Sequence, residues 1–300
     1  MIVITGADGF VGRHIVARLA AEGERPRAMV RGPERARRVL PANGVELAQG
    51  DTTRPETLDA ALDGAETVIH CAFVVANRKQ GPGVSYYATN VRGTKNLVAA
   101  AKRAGVRRIV VMGGLGTKPS RRDAYLQGRY EADEAIRQSG LAWSIIGPSV
   151  QFGPGSPFIV GLADLIRSMP VVPMIGSGGR TFQPIWVEDV VTCTLKMARE
   201  PDRYDGRTIE VGGPEIITYA HLLDLLMRTM RVKKLKLPGP VPFARIGAGM
   251  MELALPRPPI TRAAIGLFTF DNVTDRDAVE RNFGFQPMSL RDYLAQHGVA

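Results

Sequence analysis

Met1-Ile2-Val3-Ile4-Thr5-Gly6-Ala7-Asp8-Gly9-Phe10-Val11-Gly12 is the stretch on which the reading of this chain turns. A short run of β-branched residues enters a turn with glycines three apart, and the turn opens into Ile15, Val16, Leu19 and Ala20, apolar residues at helical spacing. Strand, glycine turn and helix in that order leave backbone N–H groups unpaired at a helix start, where the helix dipole is also positive. An anion can then sit directly on the main chain.

Gly6 lets the chain leave the strand sharply, Gly9 lets a phosphate approach the backbone, and Gly12 lets the helix pack on the sheet, the three roles of a dinucleotide-binding turn. Its spacing is Gly-x-x-Gly-x-x-Gly rather than Gly-x-Gly-x-x-Gly. Gly6, Asp8, Gly9, Phe10, Val11, Gly12 and Arg13 are therefore the expected contacts of the pyrophosphate. The second strand ends Met29-Val30-Arg31-Gly32. An acidic residue there would hold ribose hydroxyls, whereas Arg31 suits a 2′-phosphate, with Arg13 and Arg35 as further cations. The expected cofactor is NADP(H) in preference to NAD(H). Asp51, after the third strand, is an expected adenine contact, with a helix N-cap as the alternative.

Working outward, short Val- and Ile-rich runs recur at Ala28 to Arg31, Val45 to Gln49, Thr67 to Ala72, Arg108 to Met112 and Trp143 to Ile146, with helical stretches between most of them. Strands without polar alternation are buried on both faces, and their alternation with helices implies a doubly wound parallel sheet of the Rossmann type. After Pro148 the texture becomes Gly- and Pro-punctuated, beginning Gly153-Pro154-Gly155-Ser156-Pro157. This predicts a nucleotide-binding domain over 1–150 and a smaller mixed lobe over 151–300, with a strand near 207–211 returning to the sheet.

Composition narrows the class. Thirty-nine Lys and Arg against 29 Asp and Glu give a net charge of +10, which favours anionic ligands or surfaces. Those bases are scattered, aromatics make up 6% of the chain and no nucleic-acid motif is present, so nucleic acid is not the expected partner. Cys71 and Cys193 form no Cys-x-x-Cys, and the four histidines share no ligand spacing, so no metal is expected. Nothing resembling a signal peptide precedes Ile2, and no apolar run reaches the ~18 residues of a membrane span; a cytoplasmic protein is expected. Residues Lys233 to Leu255 are basic and then apolar, a pattern suited to a protein partner, to peripheral contact with the inner face of an anionic membrane, or to a helix packed on the core. Asn272-Val273-Thr274 reads as a chance glycosylation pattern, and Glu188 with Asp189 as the carboxylates of a helix start.

Several ordered blocks carry a resemblance: TGADGFVG at the start, GDTT at Gly50 to Thr53, HCA at His70 to Ala72, NVRGTKNLVAAAKRAGVRRIV from Asn90, GPSVQFGPG from Gly147 and FQPIWVEDV from Phe182. Over nearly its full length the chain resembles the extended and atypical short-chain dehydrogenase/reductase family. With VGGPEIITY at Val211 to Tyr219 and DNVTD at Asp271 to Asp275 it looks most like the dehydrogenase-like accessory subunit of respiratory complex I and its bacterial relatives. The resemblance implies that Thr52, Cys71, Ala72, Asn90, Met112 and Gly113 line the cofactor, that Tyr125 and Arg129 face the nicotinamide ribose, and that Pro148, Ser149 and Val150 lie near the nicotinamide. His70, after the fourth strand, is expected to line the nucleotide crevice rather than to bind metal.

Active members of that family carry a Ser or Thr after the fifth strand and a Tyr-x-x-x-Lys pair, in which Lys lowers the Tyr pKa. Here Gly113-Gly114 stand at the first place, with Thr117 nearby, and Tyr125-Leu126-Gln127-Gly128-Arg129 puts Arg in the Lys position. Two functions follow from the resemblance. One is an NADP(H)-binding accessory or sensor protein with weak or absent hydride transfer. The other is an NADPH-dependent reductase, epimerase or dehydratase on a carbonyl, quinone or nucleotide-sugar substrate, working through Tyr125 and Arg129.

Overall fold

The computed structural model describes residues 1–76, 78–81, 84–120, 123–255, 258 and 260–299. Seven strands, β1 (Ile2–Thr5), β2 (Arg27–Val30), β3 (Glu46–Gln49), β4 (Thr67–His70), β5 (Arg108–Met112), β6 (Ala142–Pro148) and β7 (Arg207–Val211), form one sheet in the order β7-β6-β5-β4-β1-β2-β3. The pairs β1–β2, β1–β4, β2–β3, β4–β5 and β5–β6 are all parallel. The strand order reverses between β1 and β4, which is where a doubly wound sheet opens a crevice at its carboxyl ends. The expected Rossmann-type fold is present. The helices used below are α1 (Phe10–Ala21), α2 (Gly93–Arg103), α3 (Ala124–Arg137), α4 (Pro157–Ser168), α5 (Val187–Arg199), α6 (Tyr219–Thr229) and α7 (Val241–Ala254).

Two compact units divide the chain. The first comprises Met1–Val74, Gln80–Gly147 and Val190–Ile209; the second comprises Val75–Lys79, Pro148–Asp189 and Glu210–Ala300. Residues 190–206, which the sequence left in the lobe over 151–300, thus fall in the first unit, and the strand expected near 207–211 joins the sheet as β7. The cause lies in α5. Its Val190, Val191, Cys193, Leu195 and Met197 are buried, and Arg199 at its end pairs with Glu22 and Glu24 beyond α1. Glu188 and Asp189 occupy its first turn, where carboxylates suit the dipole, and Asp189 accepts the Met288 N–H at 2.8 Å.

One core of the first unit joins Val3, Val68, Ile109, Val111 and Ile145 of the strands to Leu97, Ala100 and Ala101 of α2. The amphipathic spacing of α2 dictates that contact: Leu97, Ala100 and Ala101 are three and four apart and fully buried, while Lys102 and Arg103 finish the helix near its negative end. In the second unit three two-stranded pairs and helices α4, α6 and Leu290–His297 enclose Phe152, Phe182, Tyr219, Leu222, Leu226, Phe268 and Tyr293. Phe182, Tyr219 and Phe268 meet in tilted and edge-on pairs with centroids 4.6 to 6.4 Å apart.

Candidate functional site

The β1–α1 turn is shaped by its glycines. Gly6 has φ +63°, and a side chain there would come within 2.9 Å of the backbone of Cys71 and Ala72 at the end of β4. A Cβ on Gly12 would stand 2.3 Å from the Gly6 carbonyl oxygen, so only glycine lets α1 close on the turn. Gly9 is the N-cap of α1, in extended conformation, with no side chain capping the first turn and no acidic residue within it. Its N–H is spent on the Gly6 carbonyl at 2.9 Å. The geometry leaves the start of α1 without an anionic partner of its own, and the residues present fit a dinucleotide pyrophosphate.

Phe10 and Val11 are half-buried within this first turn, and Arg13 lies 5.8 Å from the Phe10 ring centre. Asp8 is tied to Arg35 by an ion pair of 3.4 Å, which brings that cation to the turn. Arg31 is exposed and forms no ion pair among the described residues. Asp51 accepts the Thr53 N–H and hydroxyl, both at 2.8 Å, on its Oδ1, holding a local turn before Pro55–Thr57. Thr52 is buried; its carbonyl accepts from Asn96 Nδ2 at 2.9 Å.

His70, expected along the crevice, is instead a knot inside the first unit. It is fully buried between Thr5 of β1 and Thr94 of α2, 2.7 Å from the first through Nδ1 and 3.0 Å from the second through Nε2. The Thr94 hydroxyl donates to the Asn90 carbonyl at 2.6 Å, so Nε2 carries the proton and Nδ1 accepts from Thr5. The Thr5 oxygen in turn accepts the N–H groups of Cys71 and Ala72. Burial, reinforced by the charge of Arg129, pushes the His70 pKa down to about 3, so the ring is neutral. Desolvation pushes the Cys71 thiol up to about 12, and no thiolate is available there. Asn90 is also fully buried, with both amide atoms bonded to the backbone of Val74 at 2.8 and 3.1 Å. It fixes the chain after β4.

Tyr125 and Arg129 lie one turn apart on α3. Asp123 caps this helix by accepting the N–H groups of Tyr125 and Leu126. The Tyr125 ring meets Tyr86 edge-on, with centroids 5.3 Å apart. Arg129 is 4% exposed; it donates to the Met112 carbonyl at 2.5 Å and lies over the Phe73 ring, 3.7 Å from its centre. Its Nε is buried without a hydrogen-bond partner, a donor that fits a nearby ribose hydroxyl. Burial pushes the Tyr125 phenol above its ordinary value, while the Arg129 charge pulls it downward. One turn on, the buried Asp133 leaves Oδ1 unpartnered; burial raises its pKa against the pull of Arg129 and Arg137.

The glycine pair after β5 has two different origins. A Cβ on Gly113 would meet the Ile146 carbonyl oxygen at 2.7 Å and Ile145 Cγ2 at 2.8 Å, so close approach of β5 to β6 excludes any side chain. Gly114 has room, its nearest neighbour being Thr117 Oγ1 at 3.6 Å from the built Cβ position. The Thr117 hydroxyl donates to the Gly114 carbonyl at 2.6 Å, which commits its proton.

In the second unit Pro148 and Ser149 are buried and Val150 half-buried. The Ser149 hydroxyl contacts the Asn272 carbonyl at 3.0 Å and Oδ1 at 2.7 Å, while Gln183 bridges the Gly213 carbonyl and the Thr274 N–H, both at 2.8 Å. Four blocks of sequence, around Ser149, Gln183, Gly213 and Asn272, thus meet in one polar knot that residue reading alone did not find. Gly212 and Gly213 were the available signal, since a Cβ on either would strike Gln183 or the Pro184 carbonyl. Asn272 is 8% exposed, too enclosed for glycosylation. Among the described residues no group of three or more His, Cys, Asp or Glu is arranged to hold a metal.

Residues 6–152 match the family described as NAD(P)H-binding. Over its whole length the chain is 30% identical to the (4-alkanoyl-5-oxo-2,5-dihydrofuran-3-yl)methyl phosphate reductase of Streptomyces griseus, the alignment covering 100% of this chain and 99% of that one. The chain belongs to the extended short-chain dehydrogenase/reductase-like family. Complex I is represented among the relatives of this family member: it is 24% identical to the mitochondrial NADH dehydrogenase [ubiquinone] 1 alpha subcomplex subunit 9 of Arabidopsis thaliana, over 96% of this chain and 73% of that one. It also aligns at 32% identity with the ceramide reductase of Caulobacter vibrioides, over 67% of this chain, and spans 62% of the length of that relative. The fold matches the NADPH-dependent quinone oxidoreductase QOR2 of Escherichia coli, solved with NADPH, at a TM-score of 0.75 and 19% identity, covering 99% of each chain. NAD(P)H binding is thus a property of the family, and the uncapped start of α1 is where its turn lies.

Proposed function

We propose that this protein holds NADP(H) on the β1–α1 turn, with Arg31 and Arg35 reaching the 2′-phosphate, and that it acts in the cytoplasm as a nucleotide-dependent accessory or sensor protein with slow or absent hydride transfer of its own. The observation that carries this reading is the state of Arg129. Its guanidinium is spent on the Met112 carbonyl and the Phe73 face, leaving Nε for a ribose hydroxyl. A planar guanidinium held in this way does not replace the compact, mobile ammonium that normally lowers the phenol pKa. Tyr125 stays protonated, and with Gly113 closed to any side chain that position after β5 supplies no hydroxyl to orient a carbonyl. When bound, the dinucleotide supplies a hydride; the chain supplies binding and orientation but a weak proton donor.

The second reading, an NADPH-dependent reductase on a carbonyl, quinone or nucleotide sugar, draws on the names of the relatives, two of which are reductases. In it Tyr125 donates the proton and Arg129 positions the ribose. NADPH oxidation with ketones, quinones and nucleotide sugars separates the two. Turnover far below ~1 per second, unchanged in Tyr125→Phe, supports the accessory reading. Turnover in the ordinary enzyme range that Tyr125→Phe abolishes replaces it with the second.

A further inference from the structure

Helix α7 turns its apolar side to water. Its one fully buried residue is Ala248, flanked by half-buried Ala244 and Met251. Phe243, Ile246, Met250 and Leu253, spaced three, four and three apart, form a single stripe and are 71%, 61%, 66% and 87% exposed. A helix serving only the core orients the other way. Leu235 and Leu237, just ahead of it, are 70% and 60% exposed. Apolar side chains gathered this densely on a surface mark an interface.

Charge identifies what it meets. Residues 224–271 hold eight Lys and Arg against Asp224, Glu252 and Asp271, a net +5 out of the +10 of the whole chain. Three of these cations work internally: Lys234 donates to the Arg167 and Met169 carbonyls at 3.1 and 2.7 Å, Lys236 pairs with Asp224 and Arg262 with Glu252. Arg228, Arg231, Lys233 and Arg245 are exposed and form no ion pair among the described residues. A second copy of the chain would set +5 against +5. A protein partner would have to find its register on a stripe that offers neither donor nor strong acceptor. A bilayer asks for neither: acyl chains accept the apolar side chains without directionality, and headgroup phosphates take the cations.

We propose that α7 lies in the headgroup–acyl boundary of an anionic bilayer, with Phe243, Ile246, Met250 and Leu253 inserted and Arg228, Arg231 and Lys233 on lipid phosphates. No helix among the described residues is long and apolar enough to cross a membrane, so this attachment is peripheral. It is independent of the nucleotide and of turnover.

The test uses the full chain and vesicles of phosphatidylcholine with and without about a third phosphatidylglycerol. Co-sedimentation is expected with the anionic vesicles, at least tenfold stronger than with phosphatidylcholine alone and weakened as salt shortens the screening length. Ile246→Glu with Met250→Glu is expected to keep the melting temperature and NADPH binding yet lose tenfold or more of vesicle affinity, because both side chains are solvent-exposed. Arg231→Glu with Lys233→Glu should remove the preference for anionic lipid. Phe243→Trp should blue-shift on vesicle addition, reporting insertion even if the glutamate variant misfolds. Absent binding, binding that the glutamates leave unchanged, or a Trp that stays at its aqueous wavelength overturns the proposal. So does a dimer in light scattering that Ile246→Glu dissolves, which would give the face to a second copy.

Discussion

The β1–α1 turn and the Tyr125–Arg129 corner sit in the same unit and have been treated oppositely by the fold. In the turn, Gly12 is squeezed against the Gly6 carbonyl and α1 starts without a side-chain cap, which leaves its first turn to a ligand. In the corner, side-chain donors are engaged by the protein itself, Arg129 by the Met112 carbonyl and the Phe73 ring, and Thr117 by the Gly114 carbonyl. On the function proposed above, binding and chemistry are separable on this scaffold. Binding rests on main-chain geometry that only glycine satisfies, whereas chemistry rests on side-chain identities that the rest of the structure can absorb.

The comparison breaks most sharply at Gly12. Gly12→Val forces a Cβ to within 2.3 Å of a backbone oxygen, and is expected to weaken NADPH binding by two or more orders of magnitude while costing about 3 kcal/mol of stability from overpacking. Calorimetric titration and denaturant melts read both. If NADPH still binds with native affinity, the turn is not the phosphate site.

At Arg129 the expected effect is structural first. Arg129→Ala removes the stacking on Phe73 and strands the Met112 carbonyl, for a loss of about 2 kcal/mol, with little change in the slow turnover proposed above. Gly114→Ser combined with Arg129→Lys sharpens the point, since Gly114 has room for a side chain and Gly113 has none. That pair restores the hydroxyl and the ammonium together, and NADPH oxidation should rise above the parent. No rise would mean that the missing groups are not what limits the chemistry.

His70 tests the interior between the two regions. Its folded pKa, about 3, lies below the ordinary 6.5, so the unfolded chain binds the extra proton between those values. The stability contributed by the neutral ring is complete above pH 6.5 and is lost as pH falls toward 3. Between pH 6.5 and 5 this amounts to about 2 kcal/mol. His70→Gln keeps a donor and an acceptor without titrating, so its denaturation midpoint should fall less over that interval than that of the parent. Parallel pH profiles would refute the assignment.

The smallest expected effect concerns cofactor choice. Arg31→Ala with Arg35→Ala should weaken NADPH about tenfold, near 1.4 kcal/mol, and leave NADH unchanged. Equal losses for both cofactors would remove the 2′-phosphate role.

What the sequence allowed is uneven for physical reasons. Strands such as Arg108 to Met112 and the turn at Gly6 to Gly12 are local: β-branched runs and glycine spacing carry the information within a few residues. Arg129 could be placed on its helix but not oriented, because the Phe73 ring and the Met112 carbonyl that capture it come from other parts of the chain. His70 and Asn90 follow the same logic, their partners at Thr5, Thr94 and Val74 being visible only after folding. Residues 190–209 join the first unit through buried side chains whose pattern marks a helix without naming its neighbour. For α7 the apolar spacing was legible and its direction was not: the same stripe could face core or solvent, and only the structure shows it exposed.

The most direct test is native mass spectrometry on protein purified without added cofactor, followed by addition of NADPH. One dinucleotide, NADP(H), is expected to be retained or taken up per chain and displaced only slowly. A chain that neither carries nor acquires a dinucleotide would contradict that expectation.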